Sequence, residues 1–374
     1  MIDLDRERLL TALTLAHGAI GLSDPNPRVG CVLGFHDGTV LATGFTQAVG
    51  GLHAEASALA AAHASGRSVR GATAWVTLEP CAHHGRTPPC CDALIDAGIA
   101  RVAVAICDPN PEVNGAGIAR MRAAGLIVDL ADADIASQAR ELNIGFFSRM
   151  QRGRPWVRLK VAASLDGRTA LPNGKSQWLT GAEAREDGHA WRKRASAIIT
   201  GIGTVIADNP RLNVRHVPTH IQPMRVVLDS HLRIAPDAKV LKQPGTCLVV
   251  TAASAAEKAE SLRRQGIEVI QFAGDDGRVD LKALLRELSQ RGINELHVEA
   301  GASVNAALLR DELVDELLVY FAPTLVGPGL GIAALDSLES LADRLVLRIE
   351  HVAMVGADIC VRARPLYSAA PGGN

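Results

Sequence analysis

Four residues in the first quarter of the chain have the types and spacing to do chemistry: His53 and Glu55 in HAE, Cys81 in EPC, and Cys90 in PPC. One imidazole and two thiolates make a zinc ligand set that leaves a fourth position for water, and a carboxylate two residues past the histidine can shuttle protons beside it. Zinc would bring the pKa of such a water toward neutrality. The order H-x-E, P-C, C therefore suits hydrolytic removal of an amino group from a heterocyclic base. Eight residues separate Cys81 from Cys90, against two in the commoner spacing. By residue type alone three alternatives stay open: Cys91 in place of Cys90, His83 or His84 joining the set, or a closed site in which zinc only fastens the fold.

The elements that must position these groups are legible as pattern. Residues 4 to 20 carry apolar side chains at helical spacing until DPNP breaks the run. VGCVLGF and TVLATG read as two strands of a hairpin joined through His36-Asp37-Gly38. His53 opens an Ala-rich helix reaching Ala64, the strand ATAWVTL leads into Cys81, and a further helix opens near Cys90. RVAVAI, a helix after Asn114, LIVDL and a helix through about Ser148 continue the alternation, which implies an α/β sheet covered on both faces. The basic, aperiodic segment RMQRGRP, from Arg149 to Pro155, is the best boundary, giving domains of residues 1–150 and 151–366. A second α/β series follows, from WVRLKVAASLDG to a final pair of strands near 345 to 363, and SAAPGGN reads as a tail.

Signals in the second half are weaker. GIGT, with Gly201, Gly203 and Thr204, suits a phosphate-cradling turn, and Arg192, Arg211 and Arg215 suit gripping a phosphate. On residues alone this is an α/β domain with phosphate-binding character.

Composition narrows the substrate class. Lys and Arg total 39 against 40 acids, a net charge of -1, and aromatics are only 3% of the 374 residues. Neither a polybasic surface nor stacking platforms for a nucleic acid are implied, so a small substrate is expected. The start MIDLDRERLL does not read as a signal peptide and no apolar run approaches bilayer length, so a cytoplasmic protein without membrane contact is expected. Seven cysteines, three of them within residues 81–91, favour ligand or free-thiol use over disulfides.

PNPRVGCV, HAE and PCAHHGRTPPC together resemble the deaminase half of the bifunctional riboflavin-biosynthesis deaminase/reductase family. RPWVRLKVAASLDGRTA, SQWLTG, GIGTVIADNPRLNVR, RVVLDS and HVEAG follow in the order of its reductase half. The resemblance implies a cytidine-deaminase-like three-layer α/β/α domain followed by a dihydrofolate-reductase-like α/β domain. It implies zinc on His53, Cys81 and Cys90, with Glu55 as proton shuttle and Asn26 a substrate-ring contact. It implies NADPH held by Ala162, Trp178, Thr204, Asp208, Ser230 and the turn Gly301, Ala302, Ser303, Val304, Asn305, Ala306 and Ala307. Ser176, Arg192, Leu212, Arg215 and Glu299 would face a ribosylaminopyrimidine phosphate, Lys160 and Glu299 would position its sugar, and the chain would pair as a homodimer through the reductase domain. Two positions depart from the family pattern: Thr46 stands where a His is common, altering one expected substrate contact, and Ala300 replaces a Gly. The rival reading is a nucleoside or nucleic-acid deaminase with an unrelated C-terminal domain.

Overall fold

The computed structural model describes residues 3–82 and 88–367, so His83, His84 and the SAAPGGN tail lie outside the described residues. It divides into two compact units, Met1–Arg154 with Gly292–Asn294, and Pro155–Arg291 with Glu295–Asn374.

The first unit contains strands β1 (Gly30–Gly34), β2 (Val40–Phe45), β3 (Thr73–Val76), β4 (Arg101–Val104) and β5 (Ile127–Leu130). Its helices are α1 (Asp3–Ala16), α2 (Ala54–Ala64), α3 (Cys90–Asp96), α4 (Ala116–Ala123), α5 (Ala133–Leu142) and α6 (Ile144–Arg152). The sheet order is β2-β1-β3-β4-β5. The β1–β2 and β1–β3 pairs are antiparallel and the β3–β4 and β4–β5 pairs parallel. Alternation along β1 sends Cys31 and Leu33 into a core shared with α2, α3, α4 and α6, and Val32 into a second core with α1 and α5. Helices on both faces explain why every residue of β1 is buried. The result is the three-layer α/β/α arrangement expected. The hairpin turn also forms where Asp-Gly stands, with Gly38 at φ +94° and the Asp37 carboxylate accepting from Thr39 N. One detail differs: RMQRGRP is not wholly irregular, because α6 continues through Arg152 and stops at Gly153, whose φ of +65° ends it.

The second unit contains β6 (Trp156–Ser164), β7 (Arg168–Ala170), β8 (Ala197–Gly201), β9 (Met224–Leu228), β10 (Cys247–Thr251), β11 (Glu268–Gln271), β12 (Glu295–Val298), β13 (Glu316–Ala322), β14 (Leu330–Gly331), β15 (Val346–Val355) and β16 (Asp358–Leu366). Its helices are α7 (Ala182–Arg194), α8 (Ile202–Asp208), α9 (Ala256–Arg264), α10 (Leu281–Gln290) and α11 (Ala302–Arg310). Nine strands form one sheet in the order β11-β10-β9-β8-β12-β6-β13-β16-β15, while β7 and β14 pair separately. From β11 to β13 neighbouring strands are parallel; β16 and β15 add an antiparallel hairpin at one edge. Parallel strands place the loops after β8, β9 and β12 on one edge of the sheet, the position where open α/β sheets bind ligands. A buried charge cluster ties the centre together: Arg158 on β6 donates to Glu295 at 2.7 Å and to Glu316 at 2.8 Å.

Candidate functional site

In the first unit, β3 runs out into Leu78-Glu79-Pro80 and delivers Cys81. The buried Glu79 carboxylate accepts from Asp108 N (3.2 Å), Gly115 N (2.9 Å) and Ile118 N (3.2 Å), which fixes this segment onto the loop and helix of α4. Cys90 is the first residue of α3, and its backbone N–H donates to Cys81 Sγ at 3.3 Å. His53 precedes α2 directly, and Glu55 lies in the first turn at 3% exposure. α2 sits close on the sheet because Gly44 of β2 has no side chain; a Cβ there would lie 2.4 Å from Ala58 N.

His53 Nδ1 stands 3.7 Å from Cys81 Sγ and 3.4 Å from Cys90 Sγ. Tetrahedral zinc with bonds of about 2.3 Å to sulfur and 2.0–2.1 Å to nitrogen requires a nitrogen–sulfur separation of about 3.6 Å. The trio therefore fits zinc, and among the described residues it is the one group of three or more His, Cys, Asp or Glu placed to hold a metal. Cys91 does not belong to it: one helical step turns its side chain into the core, where Sγ donates to Asp92. A hydrogen bond from Cys90 pulls the Cys81 thiol down to about 4, against burial and with help from His53. Burial, then the negative charge on Cys81, pushes Glu55 up to about 7. Asn26 is half-buried in a turn held by its N–H donating to Ser23 O at 2.8 Å, and among the described residues its side-chain amide has no protein partner. Thr46 is fully engaged with Val29, accepting from its N–H at 3.2 Å and donating to its carbonyl at 3.5 Å. It braces the backbone, and its hydroxyl is not free for a substrate.

In the second unit a cleft of about 1580 Å³ gathers Lys160, Ala162, Ser176, Trp178, Arg192, Thr204, Asp208, Leu212, Arg215, Ser230, Glu299, Gly301, Ala302, Ser303, Val304, Asn305 and Ala307. Ala306 is the exception: the phase of α11 turns it into the core, fully buried. Ala300 lines the cleft without a positive φ, so the backbone there makes no demand for Gly. Arg192 clamps Glu299 through two contacts, Nε to Oε1 at 2.5 Å and Nη2 to Oε2 at 2.7 Å. Burial pushes the Glu299 carboxyl up, and the charge and hydrogen bonds of Arg192 overcome it and hold the group well below the usual range. Burial draws Lys160 down, opposed by the charge of Glu299. Leu212 adopts a left-handed φ of +48°, a strained conformation of the kind kept at ligand sites.

The cleft also suits a dinucleotide. Asn305 is buried with its amide donating to Ile332 O and its own carbonyl oxygen unpartnered, and a Cβ on Gly203 would meet nothing within 4 Å, so that backbone lies open to a ligand. Sequence reasoning passed over His189, whose Nδ1 accepts from Arg215 N at 3.2 Å and whose Nε2 lies 3.3 Å from Arg192. Its i, i+3 spacing to Arg192 on α7 was the available signal. Glu79 was missed too; an acid directly before Pro-Cys was its only mark.

A hydrolytic metal centre with a buried proton shuttle in one unit, and a dinucleotide-sized cleft with clustered cations in the other, define a two-site enzyme. The family model "Cytidine and deoxycytidylate deaminase zinc-binding region" matches residues 3–106, and "RibD C-terminal domain" matches 155–361. The chain is 42% identical to the riboflavin biosynthesis protein RibD of Escherichia coli K12 over 371 residues, covering 96% of this chain and 98% of that one. It is 39% identical to RibD of Aquifex aeolicus, with the same coverage of both chains. Among solved structures, Acinetobacter baumannii RibD superposes with a TM-score of 0.88 at 40% identity, covering 97% of this chain and 99% of the other. The Thermotoga maritima diaminohydroxyphosphoribosylaminopyrimidine deaminase/5-amino-6-(5-phosphoribosylamino)uracil reductase gives 0.86 at 31% identity with the same coverage.

The chain belongs to the RibD family. It is a bifunctional deaminase and reductase of riboflavin biosynthesis, with a zinc-binding deaminase domain and an NADPH-dependent reductase domain. The rival of a deaminase with an unrelated C-terminal domain is set aside by the match over 155–361. No helix among the described residues is long and apolar enough to cross a membrane.

Proposed function

We propose that the domain of residues 1–150 deaminates 2,5-diamino-6-(5-phosphoribosylamino)pyrimidin-4-one at its exocyclic 2-amino group, and that the domain of residues 151–366 reduces the ribosyl group of the product to ribityl. The observation that carries this is one chain, related end to end to a deaminase/reductase of that printed specificity, holding both the His53, Cys81, Cys90 trio with Glu55 and the Arg192–Glu299 cleft.

His53, Cys81 and Cys90 would hold zinc, which when bound supplies a Lewis acid that makes water reactive near neutral pH. Glu55 takes a proton from the attacking water and passes it to the departing amine, which leaves as ammonia. Asn26, its amide unengaged, orients the pyrimidine. In the second cleft NADPH supplies the hydride. Ala162, Trp178, Thr204, Asp208, Ser230 and the Gly301–Ala307 turn hold the cofactor, Ala306 doing so only as the buried anchor of α11. Ser176, Arg192, Leu212 and Arg215 face the ribose phosphate, while Lys160 and Glu299 fix the sugar so that the new C–H bond forms at C1′ as the ring C–O bond opens and the released ring oxygen takes up a proton from solvent to become a hydroxyl.

The test is a coupled assay on the zinc-loaded protein with the diaminopyrimidine ribosylamino phosphate. Ammonia should appear without NADPH, and NADPH should be oxidised only once deaminated product is present. Ammonia with no NADPH consumption under any condition would overturn the second assignment.

We infer also that the chain forms a homodimer through its C-terminal domain. The ten-residue edge strand β15 leaves Ile349 63% and Met354 62% exposed, an open apolar edge of the kind soluble proteins cover. A monomer by sedimentation at micromolar concentration would refute this. All seven cysteines are free, which supports a reducing cytoplasmic setting.

A further inference from the structure

We propose that Arg233, seconded by Lys239, reads the 2′-phosphate that distinguishes NADPH from NADH. This rests on the assignment of NADPH to the C-terminal cleft. β9 follows β8 and α8 in the chain and pairs in parallel with β8, from Ala197 opposite Met224 to Gly201 opposite Leu228. In Rossmann β-α-β units the end of the second strand faces the adenosine ribose, where an acid binds the free 2′-hydroxyl and an arginine the 2′-phosphate, and β8, α8 and β9 follow the same order here without the full glycine fingerprint. Here that end reads Asp229-Ser230-His231-Leu232-Arg233.

The acid that opens this stretch is turned away from such a role. Asp229 is buried, with Oδ2 accepting from Ile234 N at 2.7 Å and its carbonyl accepting from Leu232 N at 3.0 Å. The tight loop that results buries Leu232 and Ile234 in the core, Leu232 at a left-handed φ of +52°. With those two anchored inward, His231 and Arg233 are exposed on the cleft wall beside Ser230. Lys239 lines the same cleft, its backbone N–H fastened to Asn209 Oδ1 at 2.8 Å just past α8.

Among the described residues neither cationic head has a protein partner. Of the acids lining the cleft, Asp276 accepts from Arg278 N and Asp280 caps α10 through Ala283 N. Two cations on anchored backbone, with no ion-pair partner among the described residues and lining a dinucleotide-sized cleft, fit a phosphate dianion. An arginine on an ordinary solvated face would not require a strained residue to present it.

Dissociation constants settle the matter without turnover. NADPH, NADH, adenosine 2′,5′-bisphosphate and AMP are titrated by calorimetry into the wild-type protein, Arg233→Gln and Lys239→Gln. Arg233→Gln should weaken NADPH and the bisphosphate by roughly tenfold to a hundredfold, as for loss of a charge-assisted contact, while NADH and AMP keep their affinities. Lys239→Gln should act the same way but less, by about threefold to tenfold. Unchanged NADPH affinity in Arg233→Gln, or equal weakening of NADPH and NADH, overturns the proposal and leaves the cofactor assignment standing. A wild-type protein that binds neither dinucleotide removes the cofactor assignment, and the proposal with it.

Discussion

Gly44→Ala should disable deamination through a residue that touches neither metal nor substrate. The added Cβ would lie 2.4 Å from Ala58 N, 2.5 Å from Ala54 O and 2.9 Å from Ser57 Cβ, all on α2, whereas ordinary contact begins at 3.4 Å. Two of these three atoms belong to backbone and cannot rotate away, so α2 must retreat by the difference between 3.4 and 2.4, about 1 Å. That helix carries Glu55 and is preceded by His53, while Cys81, in the segment after β3, and Cys90, the first residue of α3, stay in place. Metal ligands tolerate about 0.2 Å, and a misplacement of about 1 Å costs on the order of a hundredfold in rate. Overpacking should also destabilise the first unit by about 1–3 kcal/mol. The assay is ammonia release at saturating substrate, with zinc content by elemental analysis and NADPH-dependent reduction of deaminated substrate as the control for the second unit. A variant with full zinc content and wild-type ammonia release would show that the seat of α2 on β2 does not position the site.

Glu55→Gln should lower ammonia release by roughly a hundredfold to ten-thousandfold while reduction of separately supplied deaminated product is untouched; loss of both half-reactions would contradict two independent sites. Glu79→Ala leaves three backbone N–H groups without their acceptor, so at about 1–3 kcal/mol each the first unit should lose at least about 3 kcal/mol in urea denaturation. A loss under about 1 kcal/mol would mean those donors find other partners. Burial, then the charges of Arg192, Arg215 and His216, pull His189 down to about 3, so below its ordinary 6.5 the unfolded chain takes up a proton that the folded chain refuses. Stability of the second unit should therefore fall as pH drops from about 6.5 to 5, by up to about 1.4 kcal/mol per unit, and His189→Asn should flatten that slope. A slope unaltered by the substitution would show that His189 is not held neutral.

The metal centre and the fold class were legible in the chain because both are carried by residue type and short-range order. A water-activating zinc site needs His, Cys and an acid whatever the surroundings, and HAE with the two cysteines announces it locally. Alternating strands and helices likewise imply a layered α/β sheet before any contact is known. The family resemblance then pointed to a set of cofactor and substrate residues of which nearly all line one cleft.

What pattern could not supply was absolute phase and long-range pairing. Cys90 and Cys91 are equivalent as residues, and so are Ala306 and Ala307; a rotation of about 100° per residue, set by how α3 and α11 pack, sends one to the site and the other to the core. Thr46 looked like an altered substrate contact until its hydroxyl was seen occupied by Val29. Glu79 meets donors from three distant positions, Lys160, Arg192 and Glu299 converge from β6, α7 and the end of β12, and Arg233 faces the cleft because Leu232 and Ile234 are buried on either side of it. Each of these depends on which apolar face a neighbouring element offers, a property of the packed core that no local run of residues contains.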